Sequence, residues 1–387
     1  MRTPTRPDTA PGADTAYDVA IIGAGIAGLS LACELARRGV TRVAVFEAER
    51  ASARHSSGLN AAILRTVIDE PEIAALADRA HGFFFDPPQA FGTHALARPV
   101  GLVLTADEPE AARRLERVAA DSPRPIRALD SAELREHAPF LATQARTAWL
   151  VPDDGVLDIS SLSDGYERWA RELGVRFHFD SAVETIVARD RGVTSIQLSR
   201  GHEVRAECVV VAAGGWSARL AATAGSSVRL SPRRRHLLVT SSDPRVDPDW
   251  PVVWNTGDEF YARPESGGLL LCACDEAEVD PDRCEVDLGV RERIAGVAGR
   301  HLPQFADAAA AHLWCGMRTF ADDHRFTIGW DADVGGLFWV AGLGGHGMST
   351  APAVAQLAAD ALLGAPLDSG LSAFEPGRHA DSVEARS

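Results

Sequence analysis

The period of the apolar positions changes along the chain, and the changes mark the elements. Tyr17-Asp18-Val19-Ala20-Ile21-Ile22 is a short β-branched run that breaks into Gly23-Ala24-Gly25-Ile26-Ala27-Gly28. A helical pattern spans residues 29–38 and stops at Gly39, and Val43–Phe46 is a second apolar strand closed by Glu47. Apolar runs without alternation predict strands buried on both faces. Residues 71–85 read as a helix with proline in its first turn, and residues 108–120 as an amphipathic helix. Between them, residues 100–105 read as a strand. Residues 131–139 read as an irregular connection. Residues 158–173 read as a helix with Asp158 as N-cap and Gly174 as stop. Short strands follow at 175–179, 183–188 and 194–198, and a fully apolar run from Cys208 enters Ala212-Ala213-Gly214-Gly215-Trp216. From Pro232 to Phe320 the alternation is β-like, broken by one helix at 286–301. Two apolar strands at 326–328 and 336–340 then lead through Gly342 to Thr350 into an alanine-rich helix ending at Leu363.

The first of these units has a chemistry. Strand, glycine turn, helix, strand and acid occur in the spacing that binds a dinucleotide. Gly23 permits the tight turn, Gly25 lets a pyrophosphate approach the backbone, and Gly28 lets the helix lie close on the sheet. The helix start offers free N–H groups and a partial positive charge. Glu47 falls ~20 residues past the glycines, where a carboxylate accepts from ribose hydroxyls.

Composition narrows the class. A chain of 387 residues with 46% apolar content fills more than one core. A net charge of −15 argues against a nucleic-acid surface. No stretch approaches a transmembrane span. The six cysteines lack any CxxC spacing, which fits a reducing, cytoplasmic setting. Cys272-Ala273-Cys274 reads as strand packing, and no metal site is expected. All 39 basic residues are arginine.

Two further stretches suit a flat ring near the backbone: Arg54-His55-Ser56-Ser57-Gly58-Leu59-Asn60-Ala61-Ala62, and Ala213-Gly214 at the end of a buried strand. Taken alone, the first also reads as an ordinary loop and the second as a buried strand with a plain glycine turn. The second glycine-rich turn, Gly344-Gly345-His346-Gly347-Met348-Ser349-Thr350, opens a helix whose N-terminus stabilises negative charge.

Together these motifs resemble the FAD-dependent D-amino acid oxidase family, which includes glycine and sarcosine oxidases and D-amino acid dehydrogenases. The resemblance runs from about Tyr17 to Leu367. It is carried further by Phe83-Phe84, Pro87-Pro88 and Phe91, by Arg234-Arg235, by Phe260-Tyr261, and by Trp314 to Phe320. The D-arginine dehydrogenase branch is nearest in pattern. The resemblance implies an α/β fold: a Rossmann-like FAD-binding domain and a second α+β substrate domain on a mostly antiparallel sheet. The expected boundaries are 17–95, 152–232 and 325–375 for the FAD domain, and 96–151 and 233–324 for the substrate domain. Residues 1–16 are expected to be disordered and 376–387 flexible.

The resemblance also implies site roles. FAD is expected on Gly23, Gly25, Ile26, Ala27, Gly28, Glu47, Ala48, His55, Ser56, Ser57, Asn60, Ala61, Val183, Ala213, Gly214, Trp216, Arg318 and the 344–350 turn. Arg318 would clamp a substrate carboxylate, helped by Tyr261 and Arg234, and His346 would sit by the flavin ring. For Arg318 the residues also allow an ion pair with Asp322 or Asp323, and His346 could equally cap the last helix. Departures from the D-arginine branch stand at Ile63, Ile68 and Leu102, where that branch has His, Tyr and Glu. They point away from D-arginine, and Arg65 favours an acidic or polar uncharged side chain. Cys315 is one residue out of register for covalent flavin, so noncovalent FAD is expected. The implied reaction is hydride transfer from a small D- or N-substituted amino acid to flavin N5, giving an imine. The alternatives are a flavin 2-hydroxy-acid dehydrogenase and a non-catalytic FAD-binding subunit. Sarcosine oxidases use a lysine near the flavin to react with oxygen; without lysine, a quinone or dye is the expected faster acceptor.

Overall fold

The computed structural model describes residues 16–142, 145–365 and 369–379. The expected disordered start, except for Ala16, and the end from residue 380 lie outside the described residues. Ala16 already belongs to the first strand, Ala16–Ile22. Pro376–His379 forms a 3-10 turn, and Arg378 holds Asp323 at 2.8 Å.

Two large sheets dominate. The first has eight strands. Its parallel centre pairs Ala16–Ile22 with Val43–Phe46 on one side and Glu203–Val211 on the other. Glu203–Val211 is shared along its length. Its early residues pair antiparallel with Gly192–Leu198, and its last three pair parallel with Leu337–Ala341. Both faces are covered, which explains the unalternated apolar runs. Val19 and Ile21 face a core with the helices Ile26–Arg37 and Gly347–Leu362, while Ala20 and Ile22 face a second core with Trp339.

The second sheet also has eight strands and is antiparallel except where Val252–Asn255 runs parallel to Leu102–Ala106. Its longest pair joins Ser231–Thr240 to Ala310–Phe320. A three-stranded antiparallel sheet of Ile63–Leu64, Gly155–Leu157 and Ala97–Arg98 lies at the junction.

The expected helices form at Pro71–Phe85, Pro109–Ala120 and Ile159–Glu172, the last capped by Asp158. One expectation fails. Ser131–His137 is a helix, not an irregular connection. Asp130 and Glu133 form a reciprocal capping box that satisfies its first N–H groups.

Asp154 stitches the junction. Its fully buried carboxylate accepts from the Thr66 amide at 2.9 Å and lies 2.9 Å from the Thr66 hydroxyl. Burial pushes its pKa up to about 7, against those hydrogen bonds. In the unfolded chain it ionises near ~4. The folded value is raised, so its contribution is fully present below pH ~4 and lost as pH rises toward 7. The loss is on the order of 4 kcal/mol at ~1.4 kcal/mol per pH unit. Asp154→Asn is therefore expected to flatten the fall in Tm between pH 5 and pH 8. Thermal melts at both pH values check it; equal slopes in parent and variant contradict it.

Candidate active site

The carboxyl ends of the first sheet and one face of the second enclose a cavity of about 810 Å³. At the first sheet, Gly23 turns with φ +106, and a Cβ there would come within 2.5 Å of the Ala212 carbonyl oxygen. Gly25 is the extended N-cap of the helix Ile26–Arg37, with no side-chain cap of its own. Ser57 reaches in instead, its Oγ accepting from the Ile26 amide at 2.9 Å. The next N–H groups of that turn have no carbonyl partner within the helix, and Ala27 lines the cavity. Glu47 is aimed by two backbone donors, Ala24 at 2.7 Å and Glu49 at 2.9 Å. This cradle of bare backbone, free N–H groups and an oriented carboxylate fits a dinucleotide.

Ile26, Ala27, Ala48, His55, Ser56, Asn60, Ala61, Val183, Ala213, Gly214 and Trp216 also line the cavity. Asn60 braces its own loop, donating to the Ser57 carbonyl and accepting from the Ala62 amide, each at 2.7 Å. His55 is held by Glu49 at 3.0 Å and packs on Trp216. Two expected contacts are not walls. Gly28 faces the sheet, and a Cβ there would land on the Gly23 carbonyl oxygen. Thr350 is fully buried one turn into the last helix, where its hydroxyl donates to the His346 carbonyl at 2.9 Å.

On another part of the wall, the turn Gly344–Ser349 meets the strand Ala310–Phe320. Gly344 has φ +51, and its amide donates to the Thr319 carbonyl at 2.9 Å. That bond sets Arg318 beside the turn. Arg318 is 7% exposed, and its guanidinium donates to the Met317 carbonyl. Among the described residues no carboxylate pairs with it; Asp323 binds Arg325 and Arg378 instead. Tyr261 and Trp254 are cross-strand partners with rings 4.6 Å apart. His346 holds the N-cap position of the last helix without a side-chain cap, and its ring lines the cavity.

Residues 18–361 match the DAO family, described as FAD dependent oxidoreductase. The chain belongs to that family. A glycine oxidase of Geobacillus kaustophilus (strain HTA426) is 27% identical over 380 residues, spanning 95% of this chain and 98% of the relative. The crystal structure of glycine oxidase from Geobacillus kaustophilus matches with a TM-score of 0.83 at 26% identity, covering 94% of this chain and 99% of that one. FAD-dependent oxidoreductase domain-containing protein 1 of Bos taurus is 25% identical over 397 residues, 89% of this chain and 81% of the relative. L-proline dehydrogenase from P.horikoshii has a TM-score of 0.84 at 18% identity, over 95% and 98% of the two chains, a likeness of fold. The cofactor is FAD, and the cradle described above fits it. No described helix is long and apolar enough to cross a membrane.

The pleat corrects one candidate. Arg318 lies opposite Arg233, so the face it occupies carries Arg233 and Arg235, not Arg234. Arg235 is on the cavity wall, while Arg234 points away to the Glu285 carbonyl at 3.0 Å and Asp287 at 3.1 Å. Two pocket positions inferred from the D-arginine branch also move. Ile63 lines the cavity, but Ile68 and Leu102 are buried in hydrophobic cores. Trp254 and Glu259 are walls that sequence reasoning missed. Cys315 is not a wall; its sulfur lies 3.7 Å from that of Cys284.

The electrostatics on this part of the wall are lopsided. Burial lowers the Arg318 pKa from its usual value and raises that of Tyr261 well above its own. His346 is driven to about 3, first by burial and then by Arg65, Arg318 and Arg235. It is therefore a neutral imidazole throughout the physiological range. A buried, unpaired guanidinium next to a neutral ring is built to take an anion.

Proposed function

We propose that the protein oxidises the C–N bond of a small amino acid, D-configured or N-substituted, to an imine that water hydrolyses. The observation that carries this reading is Arg318, a buried guanidinium facing the cavity without an acid partner. The name of the glycine oxidase relative supports the amine over the 2-hydroxy acid, which the same clamp would also hold.

The cavity glycines, the first helix start and Glu47 would bind noncovalent FAD, since no cysteine lines the cavity among the described residues. When bound, FAD accepts the hydride leaving the substrate carbon. Arg318 pairs the carboxylate through two parallel bonds and so fixes the orientation of the α-carbon. Tyr261 and Trp254 also line the cavity. His346, neutral and weakly basic, adds a polar wall without repelling a cationic amine, and it is too weak a base to take the amine proton.

The chain has no lysine. A compact fixed cation is the device that speeds electron transfer to oxygen, and arginine spreads its charge. Oxygen is accordingly the slower acceptor in this reading. Steady-state assays with a D- and N-methyl amino acid panel test both points. The expected result is ammonia or methylamine in step with dye reduction, and slower turnover on oxygen alone. Turnover of 2-hydroxy acids with no nitrogen product contradicts the reading.

A further inference from the structure

Of the arginines that line the cavity, three act on His346, and their environments differ. Arg235 is answered: it donates to Glu276 and, at 3.0 Å, to the Asp275 carbonyl. Arg318 is the clamp described above. Arg65 has no part in that clamp. Its Nε donates to the Val67 carbonyl at 2.7 Å, and its guanidinium lies 4.3 Å over the Trp254 ring. These two contacts fix the plane of the group. Its terminal nitrogens have no carboxylate within ion-pair distance among the described residues.

Glu259 also lines the cavity, is exposed, and forms no ion pair with Arg65. Neither Arg65 nor Arg318 has a carboxylate within ion-pair distance among the described residues. Enclosing a charge is costly unless an opposite charge arrives to pair with it. Arg65 and Arg318 line the same cavity as His346 and, with Arg235, act on its ring, so the wall around it carries a positive field. A lysine- or arginine-like substrate side chain would enter that positive field; a second carboxylate would be held in it.

We propose that the substrate is an acidic amino acid, with Arg318 holding its α-carboxylate and Arg65 its distal carboxylate. The inference rests on the amine-oxidation reading above. It makes Arg65, rigid against Trp254 and Val67, the residue that sets side-chain specificity.

Two measurements on the flavin-loaded protein test it. The first is kcat/KM for acidic amino acids against their amides, D-glutamate with D-glutamine and D-aspartate with D-asparagine. The acid is expected to win by about 30-fold or more, the scale of one desolvated charge pair. Arg65→Leu and Arg65→Gln, compared at equal flavin content, should bring the ratio close to one. The second is titration of the flavin spectrum with glutarate and with its monoamide. Glutarate should bind more tightly in the parent, and the difference should vanish in both variants. A ratio near one in the parent, or one that survives both substitutions, overturns the inference while leaving amine oxidation intact. A preference for basic amino acids that is lost in Glu259→Gln overturns it too. Tighter glutarate binding with no bleaching by any amino acid overturns the amine reading and supports the diacid site. No glutarate preference and no bleaching overturns both.

Discussion

Arg318→Ala is expected to lose most turnover while keeping its flavin. Arg318 is buried against the Met317 carbonyl and the backbone of Gly345, where a Cβ would lie only 3.7 Å from its Nε. Of the groups around it, Arg235 is committed to Glu276, and His346 is neutral. Removing one partner of a desolvated charge pair costs about 2–5 kcal/mol, roughly 30-fold to several thousand-fold in kcat/KM. Flavin retention is expected because the ribose and phosphate contacts fall to Glu47 and the first helix start, which Arg318 does not brace. Steady-state kinetics alongside the flavin absorbance checks both halves. Unchanged kcat/KM in a flavin-loaded variant removes Arg318 as the carboxylate anchor.

Gly28→Val is expected to yield protein with little or no bound flavin. Gly28 touches no ligand space, but the helix Ile26–Arg37 lies so close to the end of the first strand that a Cβ falls on the Gly23 carbonyl oxygen. The side chain has no flexible atom to push aside, so the helix start must move. Overpacking of this kind costs about 1–3 kcal/mol or more. Here it also displaces the N–H groups and the Gly25 turn that form the pyrophosphate cradle. Flavin-to-protein absorbance after purification is expected to fall at least about tenfold, an effect set by the position of the helix start. Parental flavin content in Gly28→Val contradicts the close-packing account. The free cradle at Gly23, Gly25 and Glu47 would then need another explanation.

These two residues also show what a sequence carries and what it withholds. Gly28 and Glu47 were legible because their roles are local: a strand, a turn, a helix and a second strand within about 30 residues bring them together. The walls contributed by residues 344–349 were legible for the same reason, although Thr350 is not one of them. Arg235 was not. Which of two adjacent arginines faces the cavity depends on register with the strand Ala310–Phe320, and a one-residue slip reverses the choice. The register is set by long-range pairing, which no local pattern reports. Trp254 was nearer to reach. The segment Asn255-Thr256-Gly257-Asp258-Glu259 is a turn between two apolar strands, and its pairing puts Trp254 opposite Tyr261. Glu259 sits in that turn with φ +49, off any strand pattern that could aim it. Leu102 misled because a family position was carried over without the sheet: it is the first residue of a fully buried strand. The helix Ser131–His137 did leave a sequence mark, Asp130 followed by Glu133, but it is short and buries only Leu134.

The central claim is that a carboxylate-bearing amine delivers its electrons to FAD in this cavity. Anaerobic mixing of the purified flavoprotein with the amino acid panel tests it most directly. The expected result is loss of the oxidised flavin band with one ammonia or one primary amine released per flavin reduced, in the parent and at least about 30-fold more slowly in Arg318→Ala. A flavin band that no amino acid diminishes, or one bleached equally fast with and without Arg318, contradicts the account.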